Sequence, residues 1–200
     1  MGFIFDMGNV LSLDVDVVPL IAAQLGMTAR RFADFARDGF DKLLIGAVSA
    51  EEFWQSFNHH FGTDMSEDLL ITRFHPVVDE RVRLLILELK AAGHRVVCGT
   101  NSFEKHYLYH LERGEYAVFD RVYASHLMRI AKPSPAFFRS ILEQEGWQAY
   151  GTLFVDDRAS NVAAARDLGI HSFLYETPES YPALQAWLAG EKALPGRHGS

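Results

Sequence analysis

Residues 2–9 read GFIFDMGN, and this stretch decides the fold class of the chain. An apolar run ends in Asp6 and is followed by a turn that contains Gly8, which is typical of a buried strand ending in a functional loop. Similar apolar runs with polar ends occur in residues 95–101, RVVCGTN, and in residues 152–157, TLFVDD. Each of these stretches predicts a strand that carries polar side chains at its C-terminal end.

Strand patterns alternate with helix patterns along most of the chain. The predicted strands are 2–5, 95–99, 121–124, 152–155 and 171–175. This alternation predicts an α/β fold, a doubly wound (Rossmann-like) parallel sheet with helices on both faces. In such sheets the ligand binds at the C-terminal ends of the strands. Asp6, Thr100, Asp156 and Asp157 all fall there, so we expect a functional site at that edge.

Residues from about 17 to 75 lack a strand pattern, and residues 15–78 are predicted to form a small helical cap inserted after the first strand. Pro19 suits the first turn of a helix, and Thr28 suits an N-cap. Residues 49–52, SAEE, are a capping-box sequence before aromatic residues at helical spacing. We therefore expect an α/β core of residues 1–14 and 79–194, a cap of residues 15–78, and a loose tail of residues 195–200.

The composition excludes several classes of protein. Nineteen Lys and Arg residues against 26 Asp and Glu residues give a net charge of −7, which argues against a nucleic-acid partner. The single cysteine, Cys98, excludes an intramolecular disulfide and a cysteine-rich zinc module.

Residues 84–87 are the longest aliphatic stretch, too short to cross a bilayer, and the N-terminus lacks a targeting pattern. We expect a cytoplasmic protein, a monomer or a homodimer, with no membrane partner.

The polar residues at the predicted sheet edge form a set with a definite chemistry. Neighbouring carboxylates raise each other's pKa unless a cation lies between them. A group of ligands that are all oxygen atoms suits Mg²⁺. Lys132, beside Pro133, adds a positive charge, and Thr100 adds a hydroxyl. A carboxylate nucleophile, a metal, a lysine and a hydroxyl together fit phosphoryl transfer through an aspartyl-phosphate.

Four motifs in this order resemble those of the haloacid dehalogenase-like hydrolase superfamily. They are residues 3–11, FIFDMGNVL; Thr100; residues 132–137, KPSPAF; and residues 154–169, FVDDRASNVAAARDLG. The resemblance covers nearly the whole chain and extends to the helical insert, which is similar to the small helical cap of one subgroup. Residues 46–53, GAVSAEEF, and the first motif look most like bacterial α-D-glucose-1-phosphate phosphatases.

The resemblance implies a metal site and a nucleophile. Asp6 would attack phosphorus and also bind Mg²⁺. The backbone carbonyl of Gly8 would be a second ligand, and Asp156 and Asp157 would complete the set of Mg²⁺ ligands that the protein provides. The expected activity is Mg²⁺-dependent hydrolysis of a small phosphoester, such as glucose-1-phosphate or another sugar phosphate.

The resemblance also implies the residues that hold the phosphoryl group. These residues are Gly8 and Asn9 of the first loop, Thr100 and Asn101 of the second motif, and Lys132. Thr100 and Lys132 would take part in catalysis, Lys132 by steadying both the nucleophile and the transferring group.

The sequence departs from the family pattern at Gly8. Most phosphatases of the superfamily carry an aspartate there as general acid and base, a function worth roughly 10²–10⁴-fold in rate. Its loss predicts a preference for phosphates whose leaving groups need little protonation, such as anomeric sugar phosphates. His59 and His60 of the cap have two interpretations: one of them supplies the proton instead, or the pair is a solvated helix end.

Two other functions stay open at this point. One is a metal-independent haloacid dehalogenase that uses the same aspartate on carbon. The other is a non-catalytic phosphate-binding relative, since the usual acid/base residue is Gly8. His106 and His110, four residues apart on one predicted helix, have the spacing of some zinc ligands, although no third ligand is evident.

Overall fold

A computed structural model describes residues 1–193, so the tail expected at 195–200 lies outside the described residues. The strands of the described part are β1 (Gly2–Phe5), β2 (Ser12–Leu13), β3 (Val77–Val78), β4 (Arg95–Thr100), β5 (Arg121–Ala124), β6 (Thr152–Asp156) and β7 (His171–Leu174). The α-helices are α1 (Val18–Gln24), α2 (Ala29–Leu44), α3 (Ala50–Phe61), α4 (Leu69–Thr72), α5 (Glu80–Ala91), α6 (Glu104–Glu112), α7 (Ser125–Met128), α8 (Pro135–Glu145), α9 (Ala159–Asp167) and α10 (Tyr181–Ala193).

The centre of the fold is a five-stranded parallel sheet in the order β5–β4–β1–β6–β7. In the register of this sheet, Phe5 at the end of β1 pairs with Cys98 of β4 and Val155 of β6. The residues that follow these three positions therefore meet at one edge of the sheet. The predicted α/β fold with a parallel central sheet is confirmed.

Side chains of β1 alternate between two apolar layers, as the pleat of a strand requires. Phe3 and Phe5 pack on one face against α5 and α10, and Ile4 packs on the other face against α8 and α9. All three side chains are fully buried. Because both faces of the sheet are covered by helices, the C-terminal edge is the part of the sheet where polar side chains can remain accessible.

Helices α1 to α4 share an apolar core of their own. Phe32 of α2 lies at its centre, with the rings of Phe53, Trp54 and Phe57 within 6.5 Å between centroids. Ser49 caps α3 in a capping box, as the sequence predicts, and the Trp54 indole N–H donates to Asp68 at 2.8 Å. The extent of a cap over residues 15–78 stays a prediction.

A short antiparallel ribbon joins the two ends of this helical segment. Ser12 and Leu13 of β2 pair with Val78 and Val77 of β3. The sequence analysis predicted neither of these strands, and β3 lies just after the stretch of residues 17–75 that lacks a strand pattern. Two-residue strands are too short to leave a period-two pattern in the sequence.

None of the helices within the described residues is long and apolar enough to cross a membrane.

Candidate active site

The Asp6 carboxylate stands at the C-terminal end of the central strand. The Asp6 backbone N–H donates to the Val155 carbonyl at 2.9 Å and continues the strand pairing by one residue. Atom Oδ1 of Asp6 accepts hydrogen bonds from the Met7 backbone N–H at 2.7 Å and from Lys132 Nζ at 2.9 Å. Asp6 is 6% exposed and lines the cavity described below, so its carboxylate is fixed in orientation yet reachable by a ligand.

Lys132 is a buried cation between two carboxylates. Its Nζ lies 2.9 Å from Asp6 Oδ1 and 2.6 Å from Asp156 Oδ2, and its side chain is inaccessible to solvent. Burial by itself would lower the pKa of Lys132, but Asp156 and Asp6 raise it, and the net direction is upward. Lys132 is therefore an ammonium ion at neutral pH.

The Asn101 side chain holds the main chain of Lys132. Its Nδ2 donates to the Lys132 carbonyl, and its Oδ1 accepts from the Lys132 backbone N–H, both at 2.8 Å. The Asn101 amide, for which the family resemblance implies phosphate binding, is thus engaged with the backbone of Lys132. The neighbouring Thr100 ends β4, is 3% exposed and lines the cavity beside Asp6.

Asp156 organises the stretch that follows β6. Its Oδ2 accepts from Lys132, and its Oδ1 accepts from the Arg158 backbone N–H and from Asn161 Nδ2, each at 2.8 Å. Asp156 is fully buried. These three contacts orient both Lys132 and the loop that presents Asp157.

Asn9 connects the first loop to Asp157. Its Nδ2 donates to Asp157 Oδ2 at 2.9 Å. The backbone of Asn9 has a φ of 56°, in the left-handed region that asparagine tolerates better than most residues. Asn9 therefore serves as a bridge between two of the sequence motifs.

Asp6, Asp156 and Asp157 form a cluster with the donor set of a metal site. One oxygen of each carboxylate lies within 4.8 Å of the others. Burial raises the pKa of Asp6 to about 7, Lys132 opposes this, and Asp156 and Asp157 add to it. Burial also raises the pKa of Asp157. A divalent cation would offset the repulsion between the carboxylates and favour their ionised form, and oxygen ligands suit Mg²⁺, so the residues fit this ion.

A cavity of about 530 Å³ lies over these groups, within the size range of small-molecule sites. Its lower wall includes the first loop, Thr100 and Asp157. Its upper wall is one face of α2, with side chains at a helical spacing of three or four residues. These α2 residues are Ala33, Arg37, Phe40, Asp41 and Leu44.

The sequence analysis missed Arg37 and Asp41 as site residues. They stand four residues apart on α2 and both line the cavity. The spacing of the α2 residues was visible in the sequence, but the sequence did not show which face of the helix lies toward the sheet.

His59 and His60 lie elsewhere. Both are exposed on α3, and neither is among the described residues that line the cavity. The ring of His60 packs against Phe35 and Phe61 instead. The structure thus contradicts the hypothesis that one of these histidines supplies a proton at this site.

His106 and His110 line the cavity, but each has a partner of its own. His106 Nε2 lies 2.8 Å from the Leu70 carbonyl oxygen, and His110 Nδ1 lies 2.5 Å from Glu115 Oε2. Burial lowers the pKa of His106 to about 4 and also lowers that of His110, so both are neutral at pH 7. Among the described residues, neither belongs to a group of metal-ligating side chains.

Comparison with known proteins finds a family and relatives for this chain. The family model described as haloacid dehalogenase-like hydrolase matches residues 1–169. The chain is 36% identical over 174 residues to a sesquiterpene phosphatase of Aspergillus oryzae, covering 84% of this chain and 85% of that protein. It is 27% identical over 188 residues to a D-ribitol-5-phosphate phosphatase of Bacteroides thetaiotaomicron, covering 86% and 90%. Two other curated relatives are longer proteins, of which the chain spans 14% and 22%.

A solved structure shares the fold. It is a haloacid dehalogenase family enzyme of Bacteroides thetaiotaomicron, determined as a magnesium complex, with a TM-score of 0.74 and 23% identity. The alignment covers 92% of this chain and 97% of that one. At this level of identity the likeness shows the fold.

Proposed function

The chain belongs to the haloacid dehalogenase-like hydrolase family, and we propose that it is a Mg²⁺-dependent phosphatase of small phosphoesters, sugar phosphates above all. One observation carries the proposal. The inaccessible Lys132 ammonium contacts Asp6 at 2.9 Å and Asp156 at 2.6 Å, beside Asp157 and under a cavity of about 530 Å³. Such buried charges cost stability, so their place at a ligand cavity favours a catalytic role.

In the proposed reaction the Asp6 carboxylate is the nucleophile. A carboxylate oxygen of Asp6 attacks phosphorus, and the bond between phosphorus and the leaving oxygen breaks with its electron pair on that oxygen. The leaving oxygen takes a proton from solvent. The oxygen of a water molecule then bonds to phosphorus, the bond from phosphorus to the Asp6 oxygen breaks to restore the carboxylate, and the water gives a proton back to solvent as inorganic phosphate departs. Lys132 holds Asp6 in place and offsets the charge that develops, and Thr100 contributes its hydroxyl to the phosphoryl oxygens.

Asp6, the Gly8 carbonyl and Asp157 would hold Mg²⁺, with Asp156 beside them. The ion would supply Lewis-acid stabilisation of the phosphoryl oxygens. Asp156 has hydrogen bonds on both of its oxygens, so we assign it mainly to the support of Lys132 and of the loop that carries Asp157.

The lack of an acidic side chain at position 8 favours one class of substrate. Gly8 brings no acidic side chain to the site, so the departing oxygen must leave with little protonation from position 8. Anomeric sugar phosphates satisfy this requirement better than phosphates of simple alcohols. Glucose-1-phosphate is therefore our first candidate, although the two phosphatase relatives act, by their names, on a sesquiterpene and on ribitol-5-phosphate.

The upper wall of the cavity supports a polar leaving group. Arg37 and Asp41 bring one basic and one acidic residue to the cavity lining, with Phe40 between them in sequence. One guanidinium nitrogen of Arg37 also donates to Asp34 at 3.1 Å. A sugar offers hydroxyls to both charged groups and an apolar ring face to Phe40. We propose that residues 15–78 act as a cap that recognises the sugar and keeps water from the reaction.

The decisive experiment measures phosphate release from p-nitrophenyl phosphate, glucose-1-phosphate and glucose-6-phosphate, with Mg²⁺ and with EDTA. We expect metal-dependent release, a clear preference for glucose-1-phosphate over glucose-6-phosphate, and a loss of more than about 10³-fold in Asp6→Asn. Asp14→Asn is the matched control, because Asp14 is exposed and has a φ of 60°, which asparagine adopts readily.

The outcomes separate the competing functions. Release that survives EDTA and Asp6→Asn would contradict the proposal. Dehalogenation of a short haloacid without metal would identify a dehalogenase. Binding of inorganic phosphate with no turnover of any ester would identify a non-catalytic relative. Similar rates on the two glucose phosphates would remove the leaving-group argument but keep the phosphatase.

A further inference from the structure

The C-terminal end of α2 meets the core at a close backbone contact. Gly46, two residues after the end of α2, has a φ of 62°, and a Cβ built on it would lie 2.7 Å from the His126 carbonyl oxygen. The positive φ and the close approach both favour glycine at this position. The backbone after α2 therefore lies directly against the backbone of α7, although the two segments are far apart in the sequence.

Arg129 adds a hydrogen bond to this contact. Its Nη1 donates to the Gly46 carbonyl oxygen at 3.2 Å. A guanidinium donor is always charged, which makes its hydrogen bonds stronger than those between neutral groups. Neither residue is among the described residues that line the cavity. Arg129 thus holds the end of α2 from outside the candidate site.

The backbone of Arg129 has a conformation that is unfavourable for arginine. Its φ of 57° and ψ of 24° lie in the left-handed region. The other described residues with a positive φ, glycines aside, are Asn9 and Asp14, two residue types that tolerate this region better than most. Because glycine would adopt the backbone of position 129 freely, we expect the Arg129 side chain to have a function that offsets its unfavourable backbone.

Helix α7, which precedes Arg129, is itself held on the core. Ser125 Oγ accepts a hydrogen bond from the Ser102 backbone N–H, and His126 Nδ1 lies near the Ser102 carbonyl oxygen, both at 3.0 Å. Ser102 follows Thr100 by two residues. The arginine therefore joins α2 to a segment whose position is fixed relative to the sheet edge.

The end of α2 contributes directly to the cavity. Phe40, Asp41 and Leu44 line it, and Leu44 lies two residues before Gly46. The Phe40 ring also packs against Phe103 of the core, with 5.1 Å between the ring centroids. A displacement of the end of α2 would therefore move these three side chains relative to the carboxylates at the sheet edge.

We infer that Arg129 is a positioning residue, which holds the C-terminal end of α2 over the sheet edge and so sets the affinity for the leaving group of the substrate. The inference rests on the proposed function, because that function assigns α2 to the leaving group and the sheet edge to the phosphoryl group. Loss of the Arg129 guanidinium should therefore weaken binding of a phosphoester but not binding of inorganic phosphate.

The experiment compares the wild type with Arg129→Gly, Arg129→Asn, Gly46→Ala and Arg121→Asn. Glycine and asparagine both tolerate the backbone of position 129, so both variants remove the guanidinium without new backbone strain. Gly46→Ala separates the same two segments through its Cβ. Arg121→Asn is the matched control, because the exposed Arg121 guanidinium also joins two segments, through a 2.8 Å hydrogen bond to Gln144, but does not line the cavity.

Four quantities are measured. They are kcat and KM for glucose-1-phosphate, the affinity for inorganic phosphate with Mg²⁺ by calorimetry, Tm without ligand, and hydrogen exchange of the amides of residues 42–47. Exchange reports on the end of α2 without turnover, because the Gly46 N–H donates to the Leu43 carbonyl and the Ala47 N–H donates to the Lys42 carbonyl.

We expect both Arg129 variants to raise KM for glucose-1-phosphate about three- to tenfold, the contribution of one hydrogen bond, with little change in kcat. Their amides at residues 42–47 should exchange faster, while phosphate affinity and Tm stay close to those of the wild type. Gly46→Ala should also raise KM, and its combination with Arg129→Asn should lose less than the sum, because both changes disrupt one contact. Arg121→Asn should keep the wild-type KM and exchange rates.

Three results would overturn the inference. They are wild-type KM and exchange in both Arg129 variants, a loss in Arg129→Gly that Arg129→Asn does not share, and an equal loss of affinity for inorganic phosphate. The second would assign the effect to backbone freedom, and the third to Lys132, three residues further along the chain.

Failure of the proposed function looks different. A wild-type protein that hydrolyses no ester would refute the phosphatase. The exchange rates of the variants, and their calorimetric affinity for the uncleaved glucose-1-phosphate, would then still decide the role of Arg129.

Discussion

The sheet edge and the helical segment of residues 15–78 use charged residues in opposite ways. At the edge, the Lys132–Asp156 pair is wholly inaccessible to solvent. On α2, the Lys42–Asp38 pair has the same chemistry, but its side chains are 51% and 81% exposed. Exposed pairs contribute little to stability, and buried pairs are seldom better than apolar residues of the same volume. The buried pair is thus best explained by what it does for a ligand.

The apolar residues of the two regions differ as well. The sheet is covered on both faces by mixed aliphatic and aromatic side chains. The helical segment depends on a cluster of rings around Phe32, among them Phe40 and Phe53. Phe40 also lines the cavity. The segment therefore has the means to pack as a unit and to present one face of α2 to a ligand.

The largest difference in stability between the two regions is expected when their lysines are replaced. At the sheet edge, Lys132→Met should lower the free energy of unfolding most. The change leaves Asp6 and Asp156 buried without their cation, and breaking a buried pair costs about 3–5 kcal/mol. The pKa of Asp6, already raised to about 7 by burial, rises further without Lys132. A raised folded-state pKa means stability that is lost as the pH rises, so the loss measured by urea unfolding should be greater at pH 8 than at pH 5.

Lys42→Met on α2 is the matched control for that experiment. It removes an exposed ion pair between residues four apart, and we expect a loss of about 0.5 kcal/mol or less with no marked dependence on pH. Equal losses in the two variants would show that burial does not distinguish the two regions.

A smaller effect is expected at the junction of the two regions, from Gly8→Asp. A Cβ at Gly8 would meet only Val15 Cγ2, at 3.4 Å, and Gly8 does not have a positive φ, so a side chain can be accommodated. We expect the new carboxyl group to raise kcat/KM for glucose-6-phosphate about tenfold or more, since it can protonate a poor leaving group. Glucose-1-phosphate should gain less.

Gly8→Asn tests whether that gain comes from proton transfer. Asparagine has nearly the same shape but no acidic proton, so it should not improve glucose-6-phosphate hydrolysis. An equal gain from both substitutions would show that the side chain acts through packing or substrate contact.

The smallest effect is expected from Ser49→Ala in the helical segment. Ser49 accepts from the Glu52 backbone N–H at 3.1 Å in the capping box of α3. Its loss should lower the free energy of unfolding by about 1 kcal/mol. Because Ser49 does not line the cavity, kcat should stay unchanged. A large fall in kcat would show that the stability of this segment controls the chemistry.

Most of the fold could be predicted from the sequence, because short local patterns mark its strands and helices. Apolar runs that end in polar residues marked the strands of the main sheet, and the Ser49 capping box marked α3. The membership of the hydrolase family, predicted from four motifs, is confirmed by the family model over residues 1–169. The ribbon of β2 and β3 was missed because two-residue strands leave no periodic signal.

The candidate site was predictable only in part. Asp6, Thr100, Asp156 and Asp157 end adjacent or neighbouring strands, so their meeting at one edge followed from the fold. The engagement of the Asn101 side chain with the Lys132 backbone did not follow, because those residues lie 31 positions apart. The choice between the two interpretations of His59 and His60 did not follow either, since the direction of a helix face depends on packing.

The sequence by itself determined the alternation of strands and helices, the family and the chemical character of the site, because each follows from residue types and their order along the chain. Only the tertiary structure decided that Lys132 lies between Asp6 and Asp156 and that one face of α2 lines the cavity. These features depend on how distant segments pack against one another, and no local pattern encodes that packing.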